Sequence, residues 1–369
     1  MMLSAMDVGA RAPRLRERVR DAGAEALLVT RLPNVRYLTG FTGSAAMVLV
    51  APDELVLVTD GRYQTQSREQ VDASGVAARI EIAPGGEQAA LLADVVAPYA
   101  RLGLEAHGVT WAQQRAWSEA FSGVTLVATE DLVEGLRRVK EPAEVARIRA
   151  ACAIADDALA ATLPKLADRP TEREFALSLE IGMRERGASG TSFETICASG
   201  PNAALPHARP TDRRVGRGEL VVIDFGCIVD GYCSDMTRTV SVGDPGPEAT
   251  RLWEVVRASQ QAGRDAVVAG AACAEVDRAS RDVIEAAGLG DAFSHGTGHG
   301  VGLEIHEAPR VAKAAGGTLG SGVVVTVEPG VYLPGVGGVR LEDTVVVTDT
   351  GADALTSFPK HLSIESLAA

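Results

Sequence analysis

The run His295-Gly-Thr-Gly-His299-Gly-Val-Gly-Leu-Glu-Ile-His306-Glu carries three of the six histidines in the chain. Its glycines let the backbone turn tightly and come close to a ligand. A fourth histidine, His207, stands between prolines in Leu-Pro-His-Ala-Arg-Pro. Alone, each would read as an ordinary hydrogen-bonded side chain. Patterned acids change that reading. Glu219-Leu-Val-Val-Ile-Asp224-Phe-Gly226 is followed by Asp235-Met-Thr-Arg-Thr, and Val323-Val-Val-Thr-Val-Glu328-Pro-Gly330 by Glu342-Asp-Thr-Val. Each is an apolar β-branched run ending in a carboxylate, a Gly-containing loop, and a return strand opening on a second carboxylate, which is a hairpin pattern. Asp224 corresponds to Glu328 and Asp235 to Glu342. A duplicated hairpin implies two similar halves, each giving two carboxylates to one centre.

Four carboxylates and a histidine make a hard, oxygen-rich ligand set, suited to Mn²⁺ or Co²⁺ and less to Zn²⁺. Clustered carboxylates repel strongly unless compensated, and two divalent cations would neutralise them. Two metals about 3.5–4 Å apart acidify a bridging water, polarise a carbonyl and hold a tetrahedral intermediate. The remaining histidines can bind substrate or shuttle protons.

The elements that must position these groups follow from the rest of the chain. At 369 residues there is room for two domains and a large core. A composition 46% apolar and 23% charged excludes a disordered chain. The net charge of −13 argues against nucleic acid or an anionic membrane as partner. Five cysteines without a CxxC pattern read as free thiols in a reducing cytoplasm. No run reaches a membrane span.

Arg14–Ala22 reads as a helix stopped by Gly23, Ala26–Thr30 as a buried strand, and Asn34–Gly43 as a turn-rich link. Ala45–Val50 and Glu54–Thr59 are consecutive strands turning at Pro52-Asp53. Helical and strand-like segments then alternate to about Val127, which indicates an α/β domain over residues 1–134. From 135 to 369 the order is helix, helix, hairpin, helix, helix, hairpin. The helices are expected from Glu141-Pro142 to about Leu163, from the Thr171-x-x-Glu174 capping box to Gly187, over Glu248–Val268 and over Glu275–Ala287. This is an α+β domain with helices backing a curved antiparallel sheet and an internal pseudo-two-fold repeat.

These motifs resemble the pita-bread metallopeptidases, in particular the proline-specific branch of prolidase and aminopeptidase P, over nearly the whole chain. The segments Tyr-Leu-Thr-Gly-Phe-Thr-Gly-Ser and Thr-Asp-Gly-Arg-Tyr resemble the creatinase/prolidase-type N-terminal domain. The resemblance implies that Asp224, Asp235, His299, Glu328 and Glu342 ligate two divalent metal ions, foremost Mn²⁺, with Asp235 and Glu342 bridging. It implies that His207 and His306 bind substrate and shuttle protons, and that His295 and Arg340 make supporting or product-side contacts. The implied activity is hydrolysis of an Xaa-Pro bond in a di- or oligopeptide by a metal-bridging hydroxide, in a cytoplasmic homodimer. Creatinase shares the fold but works without metal, and methionine aminopeptidases usually lack this N-terminal domain. Pita-bread binding modules are expected to have lost ligands, whereas every ligand position is filled here. Between dipeptidase and aminopeptidase P, the compact catalytic half favours the dipeptidase, with Arg340 as the group to meet a product carboxylate.

Overall fold

Apolar strands with helices between them build the first part of the chain. The computed structural model describes residues 3–367. Strands β1 (Ala26–Val29), β2 (Ala46–Val50), β3 (Leu55–Thr59), β4 (Arg79–Ile82), β5 (Arg101–Glu105) and β6 (Thr125–Thr129) form one sheet in the order β4-β3-β2-β1-β5-β6. β2 runs antiparallel to β1 and β3, and the other pairs are parallel. Parallel neighbours need a crossover. α3 (Gln64–Ala73) crosses from β3 to β4, and α5 (Trp111–Ala120) from β5 to β6. With α1 (Arg11–Asp21), α2 (Leu32–Thr39) and α4 (Gln88–Val96), they complete the α/β unit. Leu28, Leu49, Val56, Leu102, Leu104 and Trp117 belong to its core.

α2 corrects the expectation of a turn-rich link at Asn34–Gly43. Pro33 occupies its first turn, where a missing N–H costs nothing, and Gly40 closes it at φ 75°. The acceptor at its N-terminal end comes from far away. Glu105 takes the backbone N–H groups of Thr30 at 2.6 Å and Arg31 at 2.9 Å, and the Asn34 amide at 2.6 Å. The unit ends at Arg137. Its last helix, α6 (Glu134–Arg137), is tied back through Arg137, which donates to Asn34 Oδ1 at 2.6 Å, and through Glu134, which accepts from Arg31 at 2.6 Å.

The second unit runs from Arg138 onward. Its first half holds α7 (Pro142–Thr162), α8 (Glu172–Glu185), β7 (Gly190–Thr191), β8 (Ile196–Ser199), β9 (Leu220–Phe225), β10 (Cys227–Val229), β11 (Tyr232–Cys233) and β12 (Met236–Ser241). Its second half holds α9 (Gly246–Ala266), α10 (Cys273–Ala286), β13 (Gly298–Gly300), β14 (Glu307–Val311), β15 (Val324–Val327), β16 (Gly330–Leu333), β17 (Gly337–Arg340), β18 (Asp343–Thr348) and β19 (Gly351–Ala354). The long hairpins are present: β9 pairs antiparallel with β12, and β15 with β18. Each connecting loop is more than a loop. It is a short hairpin of its own, β10–β11 in the first half and β16–β17 in the second. Asp230 and Gly231 both have positive φ, which the tight turn between β10 and β11 requires.

The helices cover the sheets as the repeat predicts. Ala155, Leu159, Phe175 and Leu179 of α7 and α8 share a core with Val221, Ile223 and Phe225 of β9. Leu252, Val256 and Ile284 of α9 and α10 pack with Val331, Val339 and Leu341. Backbone and hydroxyl bonds stitch the halves together: Glu342 N–H donates to the Thr237 carbonyl at 3.1 Å, and Thr344 Oγ1 to the Asp235 carbonyl at 2.8 Å. All five cysteines are buried free thiols. Among the described residues, no helix is long and apolar enough to cross a membrane.

Candidate metal centre and its cavity

Strand register brings the acids together. In the first hairpin Asp224 lies opposite Thr237, two residues past Asp235, so both acids share one face of the sheet. In the second, Val327 lies opposite Asp343, and extending that register by one residue sets Glu328 against Glu342. Carboxylate oxygens of Asp224, Asp235 and Glu342 lie within 4.8 Å of one another. His299 enters from β13, with Nε2 at 3.5 Å from Asp235 Oδ2 and 3.3 Å from Glu328 Oε1. The glycines beside it are obligatory. A Cβ at Gly298 would run into the Thr326 carbonyl, and one at Gly300 into that of Ala308.

This set fits a divalent metal for three reasons. First, Asp224 Oδ1 and Glu342 Oε1 are buried with no hydrogen-bond partner among the described residues. Second, His299 Nδ1 lies 3.0 Å from the Gly300 carbonyl, which can only accept, so Nδ1 carries the proton. Burial pulls this imidazole below its ordinary pKa, so in its neutral form Nε2 presents a lone pair to two carboxylates, an arrangement suited to an intervening cation. Third, burial, and then the neighbouring carboxylates, push Asp235 and Glu342 well above the usual carboxylate range, and burial lifts Glu328 to about 8. The carboxylates are oriented from outside: Thr237 donates to Glu342 Oε2 at 2.8 Å, Thr326 to Glu328 Oε1 at 3.2 Å, and Arg340 to Asp224 Oδ2 at 2.6 Å.

A pH dependence follows. A carboxyl whose pKa is raised by folding stabilises the fold below its unfolded value and loses that contribution as pH rises toward the folded value. Chelated protein is therefore expected to lose thermal stability between about pH 5 and 8 as Glu328 ionises, and divalent ion to reverse the loss. Thermal melts across that range, with and without metal, check it; a pH-independent gap between the two would contradict it.

The centre opens into a cavity of about 580 Å³ whose lining includes His207, His295, His306, Glu328, Arg310 and Arg340. The His306 ring stands 4.4 Å from that of His299, centroid to centroid. Burial and the His299, His207 and Arg310 charges lower the His306 pKa. His207 and His306 are both exposed. His295 is set deeper. Its Nδ1 lies 2.7 Å from the Gly296 carbonyl and its Nε2 2.9 Å from the Tyr332 hydroxyl, and burial pulls it to about 4. The Nδ1 proton goes to the carbonyl, which leaves Nε2 to accept from tyrosine.

Arg340 is committed to the protein. Nε donates to Thr237 Oγ1 at 3.1 Å, Nη1 to Tyr332 at 2.7 Å and to the Pro206 carbonyl at 3.2 Å, and Nη2 to Asp224. It joins Asp224, the His207 segment and the Tyr332–His295 pair, which is a supporting place and not that of a group free to meet a product carboxylate. Nor does it pair with Asp343, which is held by Arg238, Arg264 and Lys360. The sequence reading missed Arg310. It lies directly opposite His299 across β13 and β14, is exposed in the cavity, and pairs with no carboxylate among the described residues. Its one sequence signal is a cation four residues after His306.

A mixed α/β unit followed by a duplicated α+β unit, the latter with four acids and a histidine where its own two halves meet, defines a two-domain metallohydrolase architecture. Residues 146–349 match the model of metallopeptidase family M24 and residues 11–139 that of the creatinase/prolidase N-terminal domain. The chain belongs to metallopeptidase family M24, with the pita-bread catalytic fold and a creatinase-type N-terminal domain. It is 39% identical to the uncharacterised peptidase YqhT of Bacillus subtilis, over 95% of this chain and 99% of that one. Among solved structures it resembles an Xaa-Pro dipeptidase from Bacillus anthracis (TM-score 0.92, 37% identity, 96% of this chain and 99% of that one). It also resembles an X-Pro aminopeptidase from Thermotoga maritima (TM-score 0.86, 34% identity, 94% and 100%).

Proposed function

We propose that this M24 peptidase hydrolyses Xaa-Pro bonds and prefers dipeptides. The observation that carries the preference is Arg310, a cation without a carboxylate partner among the described residues, on the wall of the cavity that holds His306 and the candidate metal centre. Similarity to proteins named as Xaa-Pro dipeptidase and X-Pro aminopeptidase supports the proline specificity and leaves both chain lengths to be tested. The bond before proline is a tertiary amide with a rigid ring, and it needs a site that accepts the ring and protonates a hindered nitrogen.

In this reading Asp224, Asp235, His299, Glu328 and Glu342 hold two divalent ions, and the oxygen-rich set favours Mn²⁺. The chemistry such ions supply is polarisation of the scissile carbonyl and acidification of a water. His207 holds the substrate at the cavity wall. His306 passes a proton to the departing prolyl nitrogen. Arg310 binds the free carboxylate that follows proline in a dipeptide. Arg340 and Thr237 keep Asp224 and Glu342 aimed. We assign the chain to the cytoplasm, as five buried thiols suit, and to a homodimer, as the family resemblance implies; sedimentation analysis tests the latter.

Metal-loaded protein is expected to cleave Xaa-Pro dipeptides with higher kcat/KM than matching Xaa-Pro-Yaa tripeptides, and Xaa-Ala controls poorly. Arg310→Ala should lower dipeptide kcat/KM by about 10- to 100-fold, mainly through KM, the size of one charge-assisted hydrogen bond to a non-reacting group. Arg340→Ala should instead lower metal content, because it releases Asp224. Faster cleavage of tripeptides by the unmodified protein would make it an aminopeptidase.

A further inference from the structure

His207 lies on the segment between β8 and β9, which has no regular structure of its own from Leu205 to the start of β9. One buried side chain gathers both ends of the part that carries it. Glu172, the first residue of α8, is fully buried. Its Oε1 accepts from Ser199 N–H at 2.7 Å and Ser199 Oγ at 2.8 Å. Its Oε2 accepts from Thr211 N–H at 3.0 Å and Thr211 Oγ1 at 2.6 Å. The Asn202 amide donates to both oxygens, at 3.1 and 3.0 Å. Among the described residues Glu172 forms no ion pair. The Arg213 guanidinium stops one group short of the carboxylate and donates to Ser199 Oγ at 2.7 Å.

Burying a carboxylate is costly unless donors satisfy it. An ionised carboxylate only accepts, so it can collect donors from two directions in a way that no amide can. The two directions here are the entry and exit of the His207 segment, and the middle is held separately, at the Pro206 carbonyl, by Arg340. We propose that Glu172 is a positioning residue for catalysis: it fixes the segment so that His207 stands at the cavity wall. The inference rests on the reading of His207 as a substrate contact.

Glu172→Gln is nearly isosteric but turns one oxygen into a donor, which must then face the N–H of Ser199 or Thr211. With metal content unchanged, kcat/KM is expected to fall by about 10²-fold, the scale of an ångström's misplacement of a catalytic contact. The test is a double-mutant cycle. In the His207→Ala background, Glu172→Gln should change kcat/KM less than about threefold, because the group it positions is gone. A merely structural carboxylate would give additive losses, and additivity would overturn the inference. So would unchanged kcat/KM in folded Glu172→Gln protein. Should that variant not fold, Asn202→Ala and Thr211→Val carry the same cycle with smaller losses, their side chains lying at the partly open rim of the network. A harmless His207→Ala would remove the reading on which the inference stands, and the single variant separates that outcome from failure of the cycle.

Discussion

Asp235→Asn is expected to strip the centre of one or both ions and to change the sign of a stability effect. Burial first, and then Glu342, Asp224 and Glu328, raise the Asp235 pKa, and His299 Nε2 lies 3.5 Å away. An amide removes one negative charge and one anionic ligand oxygen. Metal content should fall by at least one ion per chain. Activity should fall by more than the roughly 10–100-fold that loss of an outer hydrogen-bond partner of a metal ligand costs. Without metal, however, the same change relieves repulsion among buried acids, so the chelated variant should melt higher than the chelated parent protein. With excess divalent ion the order should reverse, because ligand binding adds to the stability of the folded state. Elemental analysis and melts in both conditions measure this. Full metal content in the variant would take Asp235 out of the ligand set.

The second large effect is expected at His306. Its ring packs edge-on against His299 and is exposed to the cavity, so alanine leaves the four acids and His299 in place. Metal content should stay at the parent value while kcat falls by roughly 10²–10⁴, the span for general acid–base groups. His299→Ala, one ring away, should do the opposite and lose metal first. The contrast is informative because both residues lie in one glycine-rich run, where their spacing does not tell them apart and the family resemblance alone gives them different roles. Metal loss in His306→Ala would move it among the ligands.

What could be read from the sequence depended on range. Asp224, Asp235, Glu328 and Glu342 were legible because each terminates or opens a β-branched run and because the pattern occurs twice. The capped helices were legible for a similar reason: Thr171 and Glu174 lie three residues apart and cap each other. α2 was hidden because its acceptor, Glu105, lies 75 residues beyond Thr30. The nested hairpins β10–β11 and β16–β17 are too short to show a period. Arg310 acquires meaning only once β13 and β14 are paired and it falls opposite His299. Arg340 suggested a substrate contact by charge and proximity to Glu342. Only the folded chain shows its guanidinium spent on Asp224, Tyr332, Thr237 and Pro206.

The seam between the halves has a kinetic consequence. Asp224 and Asp235 come from one hairpin, and His299, Glu328 and Glu342 from the other half, with Glu342 N–H bonded to Thr237 and Thr344 to the Asp235 carbonyl across the join. An ion held by this set is shared by two pieces of chain that must part before all its ligands can let go. Its residence time is therefore governed by how often the seam opens and not by the exchange rate of any single ligand. Isotope exchange of a bound ion and hydrogen exchange at the Glu342 amide should accordingly slow down and speed up together across conditions.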